Sequence, residues 1–360
     1  MSDFDQRMAE GKNLVGVDIG SSSIKVCQLK EVRKGHSLAK VAYAPLAPQT
    51  VVDGHVMNSG AVVEALSKIF HDHKIKQRDV ALSVSGQSVI IRKITVPHMT
   101  PQELEEQIQW EAEQHIPFDI KDVHVDYEVL RRRPEAGQMD LLLVAAKKEE
   151  INDYANIAKE AKLKPLLVDI DAFTVQNAFE AWRGIPQDQI VALINVGASL
   201  ASLNVLAGGV SAFTRDIANG GQSITEEIQK QLGVPFEQAE VYKTGSSTEE
   251  GAVIPKQVVD IVSGACDSIA AEIQRSLDFF LATTGEGELS RIFLTGGSAN
   301  LPQLVTAIER RSRVPVEVFF PTEKLTVEPK DVDPLLVQAR SAQLAVALGL
   351  ALRKDKEKRA

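Results

Sequence analysis

Residues 15–29 read VGVDIGSSSIKVCQL, and residues 192–206 read ALINVGASLASLNVL. In each, an apolar run enters a turn of small residues and a second extended run returns, the pattern of a β-hairpin with a tight tip. The first hairpin runs Val17-Asp18-Ile19 into Gly20-Ser21-Ser22-Ser23, then Ile24-Lys25; the second runs Ile194-Asn195-Val196 into Gly197-Ala198-Ser199. A tip without bulky side chains exposes backbone N–H groups beside hydroxyls, a concave row of donors suited to phosphate oxygens. One such turn is an ordinary β-turn. Two in register imply two similarly built halves, able to grip a polyphosphate from both sides. Asp18, ending the first apolar run, is placed to hold a hydrated Mg2+. A third element, Thr295-Gly296-Gly297-Ser298 after the strand Arg291–Leu294, lets a flat ring approach the backbone closely.

The surrounding chain is ordinary globular material: 360 residues, 44% hydrophobic and 25% charged. That composition excludes disorder and suggests about two domains. The apolar runs Leu141–Ala146 and Leu344–Leu352 fall short of the roughly 18 residues a membrane span needs. The opening MSDFDQRMAEGKN is polar and lacks the apolar stretch of a signal peptide. A net charge of −9 argues against nucleic-acid binding, and the runs Arg131–Arg133 and Arg353–Arg359 read as a solvated loop and a frayed end. Two cysteines, Cys27 and Cys266, are too few for a disulfide framework and fit a reducing, cytoplasmic setting. His71 and His73 fall on different helix faces, so no metal site is expected there. Ser21, Ser22 and Ser23 have no partner His in a hydrolase motif. Trp110 and Trp182 read as core.

Strand and helix periodicities divide the chain further. Val80 to Lys162 reads strand, strand, helix, strand, strand, helix, a compact α+β unit of its own. The expected division is a first half made of 12–79, 165–188 and 341–353, an insert at 80–164, and a second half at 189–340. A small subdomain at about 222–287 belongs to the second half, and 1–11 and 354–360 read as flexible tails. The last helix, Ser341–Arg353, carries small residues at spacings that permit close packing. The fold class is α/β.

The motifs together resemble the actin-like ATPase superfamily, in that family's order and across nearly the whole chain. The two Gly-Ser turns are similar to its two phosphate loops, and Phe293–Pro302 to its adenosine loop. Val168–Phe173 and Ala342–Leu352 resemble its connecting helices. Ile217–Gly221 and Ala239–Lys243 resemble the segments flanking sugar and base. The resemblance implies two related halves around a nucleotide cleft, binding ATP with Mg2+. Its nucleotide contacts would be Asp18, Gly20, Ser21, Ser22, Ser23, Lys25, Asn195, Gly197, Ala198, Ser199, Gly220, Glu240, Lys243, Gly296, Gly297 and Ser298, with Asp18 at the metal. The position of the insert resembles the FtsA-like branch. Its wording (Val84–Arg92, Met99–Leu104, His115–Phe118) is similar to the PilM family of type IV pilus assembly. Membership there implies a cytoplasmic scaffold at the inner membrane, reaching the membrane only through partners. It would hold the N-terminal cytoplasmic peptide of a PilN-like inner-membrane protein in a groove between the insert and the first half. The pilus platform protein and motor ATPases are the further partners implied.

Asn195 departs from the superfamily, which usually has Asp in the second phosphate turn. A neutral amide is no general base and coordinates Mg2+ less well, so tight binding with slow or no hydrolysis is expected, with no catalytic residue assigned. Turnover, if present, would fall to another carboxylate such as Asp171. Glu240 and Lys243, at i and i+3, share a helix face and would also make an ordinary surface ion pair. Two alternatives remain. One is a small-molecule kinase of the superfamily, disfavoured by Asn195 and the insert. The other is a filament-forming FtsA-like division protein, disfavoured because the last apolar helix runs into a charged tail.

Overall fold

A computed structural model describes residues 11–33, 35–245, 255–285, 287–327 and 332–356. The chain opens with an antiparallel meander, β1 (Val15–Ile19), β2 (Ser23–Val32) and β3 (Gly35–Pro45), followed by the small hairpin β4 (Val51–Val52) and β5 (His55–Val56). Helix α1 (Ser59–Asp72) starts on Asn58, whose side chain accepts from the Ala61 amide, and leads to β6 (Asp79–Val84). Next come β7 (Val89–Pro97), α2 (Pro101–His115), β8 (Val123–Arg133), β9 (Gln138–Lys147), α3 (Lys148–Glu160), β10 (Lys164–Ile170) and α4 (Asp171–Trp182). The second meander is β11 (Ile190–Val196), β12 (Ala201–Ala207) and β13 (Val210–Ile217). It is followed by α5 (Gly221–Leu232), α6 (Phe236–Thr244), the long α7 (Lys256–Thr284), β14 (Leu289–Thr295), α8 (Pro302–Ser312) and β15 (Val316–Val318). The chain closes with β16 (Thr326–Val327), α9 (Pro334–Arg340) and α10 (Ala345–Ala351).

Two sheets share one plan. In the first the order is β10-β6-β1-β2-β3-β16, and in the second it is β13-β12-β11-β14-β15. In both, the meander is antiparallel and the two strands beyond its first member are parallel to it. The internal similarity of residues 15–29 and 192–206 is therefore a similarity of whole half-molecules.

Helices α4 and α10 lie where the halves meet. Phe179, Val175 and Ala178 of α4 and Val346 and Leu350 of α10 bury into one cluster with Leu14 and Ala81 of the first half and Leu193, Leu206 and Phe293 of the second. Phe179 is fully buried, its ring 4.6 Å from Phe293 and 5.2 Å from Phe319, tilted and edge-on. Burying such a ring contributes about 1.5–3 kcal/mol. The small residues of α10 are explained by the same crossing. A Cβ at Gly349 would clash with the Thr174 carbonyl of α4, and one at Gly16 of β1 would clash with the Ala347 carbonyl of α10. Residues Pro334–Ala351 average a hydropathy of 1.2 over 18 residues, which by length and composition would suffice to cross a membrane, but 61% of the stretch is buried inside the protein.

The insert is smaller than the sequence implies. Strand β6 is hydrogen-bonded between β1 and β10, and Tyr154, Ile157 and Ala158 of α3 pack into the first half's core. What stands apart is the sheet β7-β9-β8 with α2 over one face. Two small pieces of the region assigned to the second half also lie on the first: β16 pairs with β3, and Val337 of α9 joins the cluster around Leu38 and Leu348.

Three local expectations change. Trp110, read as core, is 62% exposed, because the buried stripe of α2 is Leu104, Ile108 and Ala112. Arg131–Arg133, read as a loop, end β8, where Arg133 pairs with Asp140. Lys354, read as tail, is buried and pairs with Glu31 at 2.7 Å. Residues 1–10 and 357–360 of the expected tails lie outside the described residues.

Candidate functional site

Each of the two turns is closed by its leading glycine. The Gly20 amide donates to the Ser23 carbonyl (3.1 Å), and the Gly197 amide to the Leu200 carbonyl (2.9 Å). The tips meet across the junction of the halves: Ser21 Oγ and Ser199 Oγ are 2.6 Å apart. Lys25 pairs with Asp18 in register on the neighbouring strand and bends its ammonium back, 3.0 Å from Asp18 Oδ2. Both side chains are largely buried, 13% and 11% exposed. Lys25 therefore serves Asp18 directly, with its ammonium against the Gly20 turn.

The second turn is held from behind by α5. The Gly221 amide donates to Gly197 O (2.9 Å) and the Gln222 amide to Ala198 O (2.8 Å), so the positive end of the helix abuts the turn. Ser298 Oγ donates to the same Gly197 carbonyl at 3.3 Å. A Cβ at Gly220 would meet the Ala198 carbonyl at 2.5 Å, so glycine is required for this approach. Gly296 ends β14 with φ +91°, and a Cβ there would lie 2.6 Å from Asn195 Oδ1. Asn195 thus packs against the Gly296 turn. Gly297 lies beside the side chain of Gln343.

Glu240 and Lys243 make more than a surface pair. Lys243 Nζ donates to Gly221 O (3.1 Å), to Thr225 Oγ1 (2.7 Å) and to Glu240, and Thr225 donates to Glu240. All three ammonium donors are engaged inside the protein. The pair clasps α6 to the first turn of α5.

Contacts thus link the anticipated residues into one region: the first turn to the second through Ser21 and Ser199, the second turn to Gly220, Gly221 and Ser298, and Gly221 to Lys243 and Glu240. Among the described residues, no group of three or more His, Cys, Asp or Glu side chains is placed to hold a metal ion.

Two further carboxylates are perturbed by burial. Burial raises the Asp171 carboxyl to about 7, helped by the charges of Asp18 and Asp216 and opposed by hydrogen bonds from Ser83 and Ser85. Burial raises Asp216 as well, against hydrogen bonds from the Gly86 amide (2.6 Å) and Ser202. Asp216 lies on β13, a strand not recognised in the sequence, and its partner Gly86 sits where β6 leaves for the insert. The bond joins the second half to the root of the insert. Cys27 is buried, which pushes its thiol far up and makes it inert.

The model of the family described as type IV pilus assembly protein PilM matches residues 16–355. Among solved structures, the PilM-PilN type IV pilus biogenesis complex aligns with 27% identity and a TM-score of 0.84, over 96% of this chain and 100% of that one. The ethanolamine utilization protein EutJ from Carboxydothermus hydrogenoformans aligns with 15% identity and a TM-score of 0.57, over 95% of this chain and 90% of that one. MreB5 of Spiroplasma citri bound to ADP aligns with 12% identity and a TM-score of 0.51, over 94% of both. These two more distant likenesses establish the actin-like fold. With the family match spanning nearly its full length, the chain belongs to the PilM family of type IV pilus assembly proteins.

Proposed function

We propose that this protein is a nucleotide-binding scaffold of type IV pilus assembly that captures the cytoplasmic N-terminal peptide of a PilN-like inner-membrane protein. The peptide would lie between the insert and the first half, and the protein would reach the membrane through that partner. Links to the pilus platform and motor ATPases belong to the same proposal. The observation that carries the reading is the full-length likeness to PilM in its complex with PilN.

ATP with Mg2+ fits the junction of the halves. The Ser21, Ser22, Ser23, Ala198 and Ser199 tips would face phosphates, with Lys25 supplying positive charge and Asp18 holding the hydrated ion. The backbone of Gly220, Gly296, Gly297 and Ser298 would border the nucleoside, framed by the Glu240–Lys243 clasp. The bound ion would neutralise phosphate charge. Asn195 contributes no carboxylate, so hydrolysis is weak. Asp171, raised toward neutrality, is the residue able to take a proton from water at physiological pH.

The test is nucleotide content and phosphate release of the purified protein, with Asp18→Ala as control, alongside calorimetry with a PilN-like N-terminal peptide. Bound ATP with little turnover and a binding peptide support the scaffold. Rapid transfer of phosphate to a small molecule would replace it with a kinase. Equal peptide affinity with ATP, ADP and no nucleotide would remove any coupling between the two sites.

A further inference from the structure

Asp18, Lys25 and Tyr43 are paired in register across β1, β2 and β3. Residues paired in this way point to one face of a sheet. That face is the one covered by α10. Gly16, two residues before Asp18, meets the Ala347 carbonyl, and Cys27, two residues after Lys25, packs with Leu344, Ala347 and Leu348. The row of three therefore lies beside the start of α10, next to the first small-residue turn.

Arg340, the last residue of α9, lies over this row. Its guanidinium carbon is 3.7 Å from the centre of the Tyr43 ring, a cation–π contact. Its Nη1 donates to Gln343 Oε1 at 3.0 Å. Gln343 in turn reaches the glycine loop of the second half, its Nε2 3.7 Å from where a Cβ on Gly297 would stand. Contacts thus place Arg340 between the strand pair that carries Asp18 and Lys25 and the loop at Gly297.

The charges around the region single out this residue. Lys25 and Lys243 each already face a carboxylate, Asp18 and Glu240. A nucleotide bound with one divalent ion is still an anion. Arg340 forms no ion pair among the described residues. A guanidinium carries five N–H donors in a planar fork, and Tyr43 engages its face rather than its edge. The ring and Gln343 hold the fork in place, so little side-chain freedom is lost when an anion arrives.

We propose that Arg340 is a phosphate-binding residue of the nucleotide site, with Tyr43 and Gln343 as its positioning residues. The guanidinium donates to oxygens of the phosphate chain from α9, a segment that none of the sequence motifs marks. The inference rests on the nucleotide reading given above and adds to it a cation that no carboxylate already holds.

Calorimetry on the full chain with ATP and Mg2+, ADP and Mg2+, and adenosine alone tests it. Arg340→Met is expected to weaken ATP and ADP about tenfold or more and to leave adenosine affinity unchanged. Tyr43→Leu, which keeps the charge and frees the fork, weakens ATP by less. Arg340→Lys keeps the charge and loses the fork, and binds ATP more weakly than wild type even should Arg340→Met fail to fold. Wild-type affinity for ATP in the folded Arg340 variants would overturn the proposal and leave the nucleotide reading intact. So would an equal loss for adenosine, which would put Arg340 against the nucleoside. No binding of ATP or ADP by the wild type would overturn the nucleotide reading itself, and this inference with it.

Discussion

Ser21 and Ser199, from opposite halves of the molecule, share a hydrogen bond of 2.6 Å between their hydroxyls. Under the proposed function, a phosphate gripped by both turns would take the place of that bond. A neutral hydrogen bond is worth about 0.5–1.5 kcal/mol. Ser21→Ala is therefore expected to lower the melting temperature of the free protein by a few degrees. Stabilisation by ATP should survive in part, because backbone donors remain. Scanning fluorimetry with and without nucleotide measures both effects.

Lys25 and Asp18 form a largely buried ion pair. Removing one partner strands the other charge, at a cost of about 3–5 kcal/mol. Lys25→Met should lose stability on that scale in urea unfolding, and Lys25→Met with Asp18→Asn should recover most of it. A double variant as unstable as the sum of its parts would show the two residues acting independently.

The Asp171 carboxyl is raised from 3.8 to about 7 by folding. Between those values the folded protein holds a proton that the unfolded chain has released. The contribution is fully present below about pH 4 and is lost as pH rises to about 7. Asp171→Asn removes that loss, so its melting temperature relative to wild type should climb from pH 5 to pH 8. The same difference at both pH values would exclude Asp171 from the titration.

The superfamily resemblance puts a carboxylate at the position of Asn195, whose side chain rests against the Gly296 turn. Asn195→Asp should speed phosphate release over a slow wild type. Equal, brisk release by both would sink the idea that the missing carboxylate limits turnover.

Gly349 and Gly16 mark the crossing of α10 with α4 and β1. Gly349→Ala forces two backbones apart where α10 crosses α4. Overpacking costs about 1–3 kcal/mol, and the obstacle here is backbone with little room to yield. Circular dichroism melts should show a loss at least of that size.

The hairpins, the internal repeat and the glycine turns were legible because each is a short-range pattern written into fewer than a dozen consecutive residues. The borders of the insert were not. An apolar run such as Val80–Val84 states that a strand is buried without stating which sheet receives it, and that choice is made by β1 and β10. Asp216 was hidden because Thr214, Arg215 and Asp216 interrupt the apolar pattern of β13. Its partner Gly86 is also far away in the chain. Trp110 shows the opposite case. Its distance from the stripe Leu104, Ile108, Ala112 follows from helical periodicity alone. The clasp of Lys243 on Thr225 and Gly221 needed the turn between α5 and α6, which pattern reading leaves open.

Lys12 and Asp355 are hydrogen-bonded neighbours: the Lys12 amide donates to Asp355 Oδ1 at 2.9 Å, and the Asp355 amide returns a bond to the Lys12 carbonyl at 3.1 Å. The described chain is thus nearly a closed loop, and a few linking residues between these points would make it a ring. The exposed turn at Gly137, between β8 and β9, offers a place to reopen it. A protein permuted in this way would begin and end in the insert. A tether fused there would sit on the insert, whereas one fused beside Lys12 or Asp355 would sit on the first half.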